Sequence, residues 1–228
     1  MTDPRIIVAI DTYDLEEANA ILDQLTPDLC KIKIGSVAYN SIGKSFLREV
    51  SSRGFKIFLD LKLHDIPNTV HEAILGFHDC VIDMLTVHLS GGEEMLEKAM
   101  FAGKSIDTKV IGVSILTSLE ESDTMALFNN KLDHQIRNLF EIAVKANLDG
   151  VVCSPHELEM SNTILNSDSI KITPGIRDIK ARDDQARTMS AKEAIEKGAT
   201  FLVIGRPITQ SKDISQALLN FNNSIYEK

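Results

Sequence analysis

Eight short apolar runs, rich in β-branched residues, recur along the chain at intervals of mostly about 20 to 35 residues. They occupy positions 5–11, 29–35, 55–62, 84–89, 109–116, 150–154, 169–175 and 201–206. Between these runs the apolar residues follow helical spacing, as in Ala18, Ile21, Leu22 and Leu25. The pattern predicts a strand followed by a helix, repeated eight times.

Residues typical of helix ends support this alternation. Ser190 and Glu193 have the spacing of a capping box, and Gly198 is placed to end the helix that follows. Strands joined by helices run parallel, in either an open doubly wound sheet or a closed barrel. Eight units in 228 residues favour a single (β/α)₈ TIM barrel. Because no Gly/Ser-rich linker divides the chain, we expect residues 1–228 to form one domain.

Composition narrows the classes of protein. Hydrophobic residues make up 43% and charged residues 25%, as in ordinary globular domains. A formal charge of −9 argues against nucleic acid or anionic lipid as partners. There is no apolar stretch of the roughly 20 residues that span a bilayer, and no pattern of a signal peptide. Cys30, Cys80 and Cys153 lack metal-binding spacing, so we interpret them as reduced, buried thiols of a cytoplasmic protein.

Polar residues stand at or just beyond the predicted strand ends. The active sites of such barrels lie where the C-terminal strand ends meet. The residues that converge there are Asp11, Lys33, Asp60, Lys62, His88, Thr117 and Arg206.

The third predicted strand carries the densest charge. Asp60 and Lys62 are two residues apart, so both side chains point toward the same face of the strand. A salt bridge that merely satisfies itself is one interpretation of this pair. With Lys33 on the neighbouring strand and Asp65 in the following loop, however, the four charges would form an alternating network. A lysine between carboxylates stays protonated, which makes it a proton donor rather than a Schiff-base nucleophile.

The run Asp-Leu-Lys-Leu-His-Asp-Ile-Pro-Asn-Thr at positions 60–69 resembles the signature of the orotidine 5′-monophosphate (OMP) decarboxylase family. Asp-x-Lys-x-x-Asp alone is shared with barrels that act on sugar phosphates, whereas the added His-Asp-Ile-Pro-Asn-Thr is specific. Further matching segments follow most other predicted strands, at positions 8–11, 32–35, 87–92, 116–118, 173–177 and 203–208. Ile34 and Leu89 depart from the expected Val and Ala by mild apolar exchanges.

The resemblance implies a role for each charged residue. Lys62 would protonate C6 of the pyrimidine after carbon dioxide leaves, and Asp60 would lie against the substrate carboxylate. Lys33 would lie between Asp60 and the ribose, and Asp11 would contact a ribose hydroxyl. Asp65 would reach the active site of a partner subunit, which implies a homodimer. The reaction would be decarboxylation of OMP to uridine 5′-monophosphate (UMP), with no metal or organic cofactor.

Other residues are expected to bind the two ends of the substrate. Gly205 and Arg206 follow the last predicted strand, where barrels commonly hold phosphate on backbone N–H groups and a guanidinium. The polar segment at 174–188 is interpreted as a lid that places Arg177 and Gln185 at the substrate, with Gln185 bridging phosphate and base. Thr117 would contact the pyrimidine edge. Thr69, at the end of the signature run, is also counted as substrate-binding.

Two alternatives stay open at this stage. A related barrel could use Mg²⁺ with the same Asp-x-Lys-x-x-Asp frame to act on a sugar phosphate, although Lys33 stands where such a site would need an acidic ligand. A non-catalytic phosphate-binding barrel is the second, and the presence of all the charged residues together argues against it.

Overall fold

The computed structural model describes residues 3–177 and 189–226. Its strands are β1 (Ile6–Ile10), β2 (Cys30–Gly35), β3 (Ile57–Leu63), β4 (Met84–His88), β5 (Lys109–Val113), β6 (Gly150–Val152), β7 (Ile170–Thr173) and β8 (Phe201–Ile204). Each strand pairs in parallel with the next, and β8 pairs with β1, so the sheet closes into a barrel. The predicted (β/α)₈ TIM barrel is confirmed.

Helices follow the strands and cover the outside of the barrel. They are α1 (Leu15–Leu22), α2 (Ser36–Ile42), α3 (Lys44–Ser52), α4 (Pro67–Leu75), α5 (Glu93–Ser105), α6 (Glu121–Phe128), α7 (Leu132–Lys145), α8 (Leu158–Ile164), α9 (Ala191–Glu196), α10 (Arg206–Thr209) and α11 (Ile214–Tyr226). The predicted capping box is present at the start of α9, where Ser190 and Glu193 bond each other's backbone N–H. Gly198, with φ at 102°, follows that helix as expected.

Alternate strand residues build two separate apolar layers. One cluster fills the barrel interior and consists of Ile7, Phe58, Met84, Ile111, Ile172 and Phe201. Their neighbours along the strands, such as Val8, Leu59 and Leu85, belong to the larger cluster beneath the helices. This two-sided burial explains why the strands appear in the sequence as continuous apolar runs. Inward-facing residues nearer the C-terminal strand ends lie above the interior cluster and are available for chemistry.

A buried lysine closes the opposite end of the barrel. Lys31, with 1% of its surface exposed, places Nζ 2.6 Å from Asp83 Oδ2 and 2.8 Å from Asp3 Oδ2. The same Nζ lies 4.2 Å from the centre of the Phe201 ring. Burial alone would raise the pKa of Asp83, but hydrogen bonds from Lys109 and Lys31 outweigh it and hold that pKa below its usual value. We call Lys31, Asp83, Asp3 and Lys109 the floor network.

Several predicted strands extend two or three residues beyond the observed strand ends. The run at 109–116 ends as a strand at Val113, and the run at 169–175 ends at Thr173. Arg206, which was expected to end the last strand, instead begins α10. The reason is that an apolar run indicates which residues are buried, and not which of them pair with a neighbouring strand. Ile115, for example, is buried although it lies beyond the strand.

The three cysteines are free and buried, as predicted, and burial raises the pKa of the Cys30 thiol to about 12. In the two described ranges, no helix has the length and apolar character required to traverse a bilayer. That residues 1–228 form one domain stays a prediction.

Candidate active site

Four charged side chains form an unbroken chain of ion pairs at the mouth of the barrel. Lys33 Nζ lies 2.9 Å from Asp11 Oδ1 and 3.7 Å from Asp60 Oδ2. Lys62 Nζ lies 2.8 Å from the same Asp60 oxygen. The Asp60 side chain is only 12% exposed, whereas 34% of the Lys62 side chain faces solvent. The order is therefore acid, base, acid, base, with a shielded carboxylate between two ammonium groups. The expected alternating network is present, but Asp11 takes the place predicted for Asp65.

An irregularity in β3 sets the direction of the Lys62 side chain. Leu59 pairs with Leu85 of β4, but the next pair joins Leu63 to Val87, so three residues of β3 lie opposite a single residue of β4. Lys62 has φ at 51°, a left-handed conformation that is rare for a residue with a side chain. Simple alternation along the strand predicted that Asp60 and Lys62 share a face, which they do. It did not predict the bulge.

Thr86 is the single β4 residue opposite the bulge, and it was not predicted as a site residue. Its side chain is fully buried. Thr86 Oγ1 accepts the backbone N–H of Lys62 at 2.8 Å and donates to Asp60 Oδ1 at 3.1 Å. Its one sequence signal is a polar side chain on the inward face of a strand. That signal becomes informative only once the register of β3 against β4 is known.

Asp65 and Thr69 follow β3, in the loop before α4 and in the first turn of that helix. Asp65 is exposed, accepts the N–H of Ile66 at 2.7 Å, and makes no ion pair with any other residue that the structure describes. Thr69 is exposed in the first turn of α4. Both residues of the signature run are therefore exposed and outside the chain of ion pairs.

Two histidine rings stand beside the charged chain. The rings of His64 and His88 have centres 5.3 Å apart. Burial, together with the neighbouring His64 and Lys62, lowers the pKa of His88, against a smaller opposing effect of Asp60. His88 is therefore neutral at physiological pH and adds no charge to the site.

The described residues that are expected at the phosphate and the base follow the C-terminal ends of β5, β7 and β8. Gly205 links β8 to α10, and Arg206 is exposed at the first position of α10. Thr117 is exposed in the turn after β5, and Arg177 is buried beyond β7. The backbone N–H of Arg177 donates to the carbonyl of Met189, so the residues that flank 178–188 lie together. Gln185 lies outside the described residues.

Throughout residues 3–177 and 189–226, no group of three or more His, Cys, Asp or Glu side chains has the arrangement of a metal site.

Comparisons with known proteins agree with this geometry. The sequence profile of the family described as orotidine 5′-phosphate decarboxylase / HUMPS matches residues 4–221. A curated relative from Coxiella burnetii, named orotidine 5′-phosphate decarboxylase, is 42% identical over 222 residues, which cover 95% of this chain and 94% of the relative. A relative of the same name from Actinobacillus succinogenes is 40% identical over 229 residues, covering 98% of each chain.

A solved structure supports the same family. The crystal structure of orotidine 5′-phosphate decarboxylase from Lactobacillus acidophilus superposes with a TM-score of 0.87 at 30% identity, covering 99% of this chain and 100% of that one. Fold, profile and full-length relatives thus confirm the resemblance that the signature run carried. The chain belongs to the orotidine 5′-phosphate decarboxylase / HUMPS family.

Proposed function

We propose that this chain decarboxylates OMP to UMP and carbon dioxide, the last step of de novo UMP biosynthesis, without a metal or organic cofactor. The observation that carries the proposal is the chain of ion pairs from Asp11 through Lys33 and Asp60 to Lys62 at the barrel mouth. Relatives that bear the name of this activity match nearly the whole chain. The cytoplasm is the proposed site of action, in keeping with three free, buried cysteines.

The reaction leaves a carbanion at C6 of the pyrimidine, and Lys62 is the group that interacts with it. Its ammonium is held by Asp60, and the Lys62 side chain is 34% exposed, against 12% for Asp60 and for Lys33. The positive charge stabilises the developing carbanion, and the same nitrogen then delivers the proton. Asp60, shielded between Lys33 and Lys62, lies against the substrate carboxylate, whose negative charge is discharged as carbon dioxide leaves.

No single contact can supply the catalysis. Enzymes lower barriers by about 8–23 kcal/mol, whereas one charge pair at 4 Å contributes about 4 kcal/mol at an effective dielectric of 20. Contacts distant from C6 must therefore hold the carboxylate beside Asp60. Lys33 and Asp11 are proposed to bind the ribose, Thr117 the pyrimidine edge, and Arg177 with Gln185 the base and phosphate.

Gly205 and Arg206 are proposed to bind the phosphate. Among the described residues, a Cβ atom added to Gly205 would meet the Ala9 Cβ alone, at an ordinary distance of 3.5 Å, so packing against this part of the chain does not demand a glycine there. A bare backbone is instead suited to close approach by a ligand. Arg206, exposed beside it, supplies a planar fork that matches phosphate oxygens.

Replacing Arg206 by alanine is expected to lower kcat/KM for OMP about 100-fold, because the phosphate loses a charge-assisted hydrogen bond. Decarboxylation of orotidine, which lacks the phosphate, is expected to stay within about twofold of wild type. The matched control is Arg137→Ala, at an exposed position on α7. Equal losses on OMP and orotidine would contradict the phosphate assignment.

We further propose that the active unit is a homodimer in which Asp65 acts in the partner's site, and that Thr69 binds substrate. In its own subunit Asp65 is exposed and outside the ion-pair chain. Beside it Ile66 is 67% exposed. On the neighbouring helix Phe101 is also 67% exposed and stacks on His71, with ring centres 5.9 Å apart. These residues form an exposed apolar surface next to the Asp65 carboxylate. A partner subunit whose active site uses Asp65 would cover this surface.

Mixing two inactive variants tests this arrangement. Asp65→Ala and Lys62→Ala are each expected to lack activity alone. Co-expressed in equal amounts, they should regain about a quarter of the wild-type rate, because half of the dimers carry one site with both residues intact. If Asp65 served its own subunit, no mixed dimer would contain an intact site and the mixture would stay inactive.

The Mg²⁺-dependent reaction on a sugar phosphate is the weaker candidate for this chain. In the Mg²⁺-dependent alternative an acidic ligand would be needed at the end of β2, where Lys33 stands and pairs with Asp11 and Asp60. An ammonium at this position repels a divalent cation.

A further inference from the structure

We propose that Thr86 is a positioning residue for decarboxylation, whose hydroxyl holds both the backbone of Lys62 and the carboxylate of Asp60. One buried oxygen accepts from the first, at 2.8 Å, and donates to the second, at 3.1 Å. No other side chain that the structure describes bonds to the backbone of the catalytic lysine and to its counter-ion at once. The inference rests on the proposed roles of Lys62 and Asp60.

The register of the sheet explains why a side chain is needed at this point. Between the pairs Leu59–Leu85 and Leu63–Val87, β3 has three residues where β4 has one. Regular backbone pairing cannot continue through such a bulge. The N–H of Lys62 would be left without a strand partner, and the Thr86 hydroxyl supplies the acceptor in place of a backbone carbonyl. The hydroxyl therefore stabilises the bulge itself.

The bulge in turn sets the direction of the catalytic side chain. Lys62 adopts φ of 51°, a conformation that persists only where the surroundings determine it. Relaxation of the backbone would redirect the whole side chain and move Nζ away from Asp60. The second hydrogen bond of Thr86 fixes the other carboxylate oxygen, so that Asp60 offers Oδ2 to both lysines. Threonine suits the task because its branched side chain has few rotamers.

The consequence is expected in turnover rather than in substrate affinity. A displacement of about 1 Å at a reacting group costs about 100-fold in rate, whereas the phosphate and ribose contacts do not involve Thr86. Thr86→Val keeps the shape and removes both hydrogen bonds. We expect kcat to fall at least about tenfold while KM changes less than about threefold. Thr86→Ser keeps the hydroxyl and is expected to restore kcat to within about threefold of wild type.

The test measures kcat, KM and melting temperature for Thr86→Val, Thr86→Ser and Thr86→Ala. The matched control is Thr108→Val, because this buried threonine lies at the opposite end of the barrel and donates to the Ile82 carbonyl at 3.0 Å. The control is expected to lower the melting temperature and leave kcat unchanged. If Thr86→Val does not fold, Thr86→Ala against Thr86→Ser gives the same comparison of a missing with a retained hydroxyl.

Three results would overturn the inference. Thr86→Val could retain kcat within threefold, it could change KM in proportion to the loss of rate, or Thr86→Ser could be as slow as Thr86→Val. Lys62→Ala is assayed in parallel and separates this inference from the proposed function. An active Lys62→Ala enzyme would contradict the role of the lysine itself, whereas an inactive one beside a normal Thr86→Val enzyme would contradict only the role of Thr86.

Discussion

Lys62→Ala is expected to lower kcat for OMP by at least about 10⁴-fold while the fold stays intact. The loss combines the proton donor and the cation that faces the C6 carbanion, which typically contribute about 10²–10⁴-fold and 10²–10³-fold. Folding should survive because Asp60 keeps Lys33 at 3.7 Å and the Thr86 hydroxyl at 3.1 Å as partners. The measurement is the loss of OMP absorbance with purified protein in the presence of EDTA.

Three controls accompany this assay. Wild-type protein is expected to turn over in EDTA, since the proposed chemistry uses no divalent metal, and circular dichroism should show the same melting temperature for both proteins within a few degrees. Lys98→Ala, on the exposed face of α5, is the matched lysine substitution and should leave the rate unchanged. A Lys62→Ala rate within tenfold of wild type would remove Lys62 from its proposed role.

Lys31→Met is expected to destabilise the protein by about 3 kcal/mol without changing kcat. Methionine retains most of the volume of the buried side chain, but Asp83 and Asp3 each lose a short ion pair at the floor of the barrel. Removing one member of a buried charged group commonly costs about 3–5 kcal/mol. The expected value is at the low end because Lys109 still pairs with Asp83 at 2.8 Å. Urea unfolding at neutral pH measures it.

Lys109→Met is the matched control for this substitution. It removes a lysine from the same carboxylate, but 48% of its side chain is exposed, so the expected loss is below about 1 kcal/mol. The pH dependence gives a second check. Because the pKa of Asp83 lies below its ordinary 3.8 in the folded protein, its stabilising effect is full above that pH and is lost as pH falls through the lower value. A loss below 1 kcal/mol for Lys31→Met would contradict the importance of the floor network.

Much of the fold could be predicted because each strand is buried on both faces. Strands between the barrel interior and the helices become continuous apolar runs, and eight of them in a chain of this length favour the barrel. Strand ends were less certain, since residues such as Ile115 stay buried beyond the last backbone pair. The convergence of Asp11, Lys33, Asp60 and Lys62 followed from the rule that barrel sites lie at the C-terminal strand ends.

Contacts that depend on register could not be predicted. Thr86 is one threonine among many until β3 is known to bulge opposite it. No role could be predicted for Lys31 from the sequence. Its partners Asp3 and Asp83 are distant along the chain and contact it only when the barrel closes. Closeness to Lys62 in the sequence predicted that Asp65 belongs to the charge network, whereas in the structure it is exposed and bonds the N–H of Ile66.

The position of Lys31 and Lys33 on one strand has a consequence for how this enzyme can change. Both side chains enter the barrel from β2, one at the floor and one in the active site, with the apolar interior cluster surrounding the barrel axis between the two ends. Substitutions in groups without shared partners have nearly additive effects. Substitutions at the floor are therefore expected to change the stability of the protein while the chemistry at the mouth is kept, so that stability and activity can be altered separately.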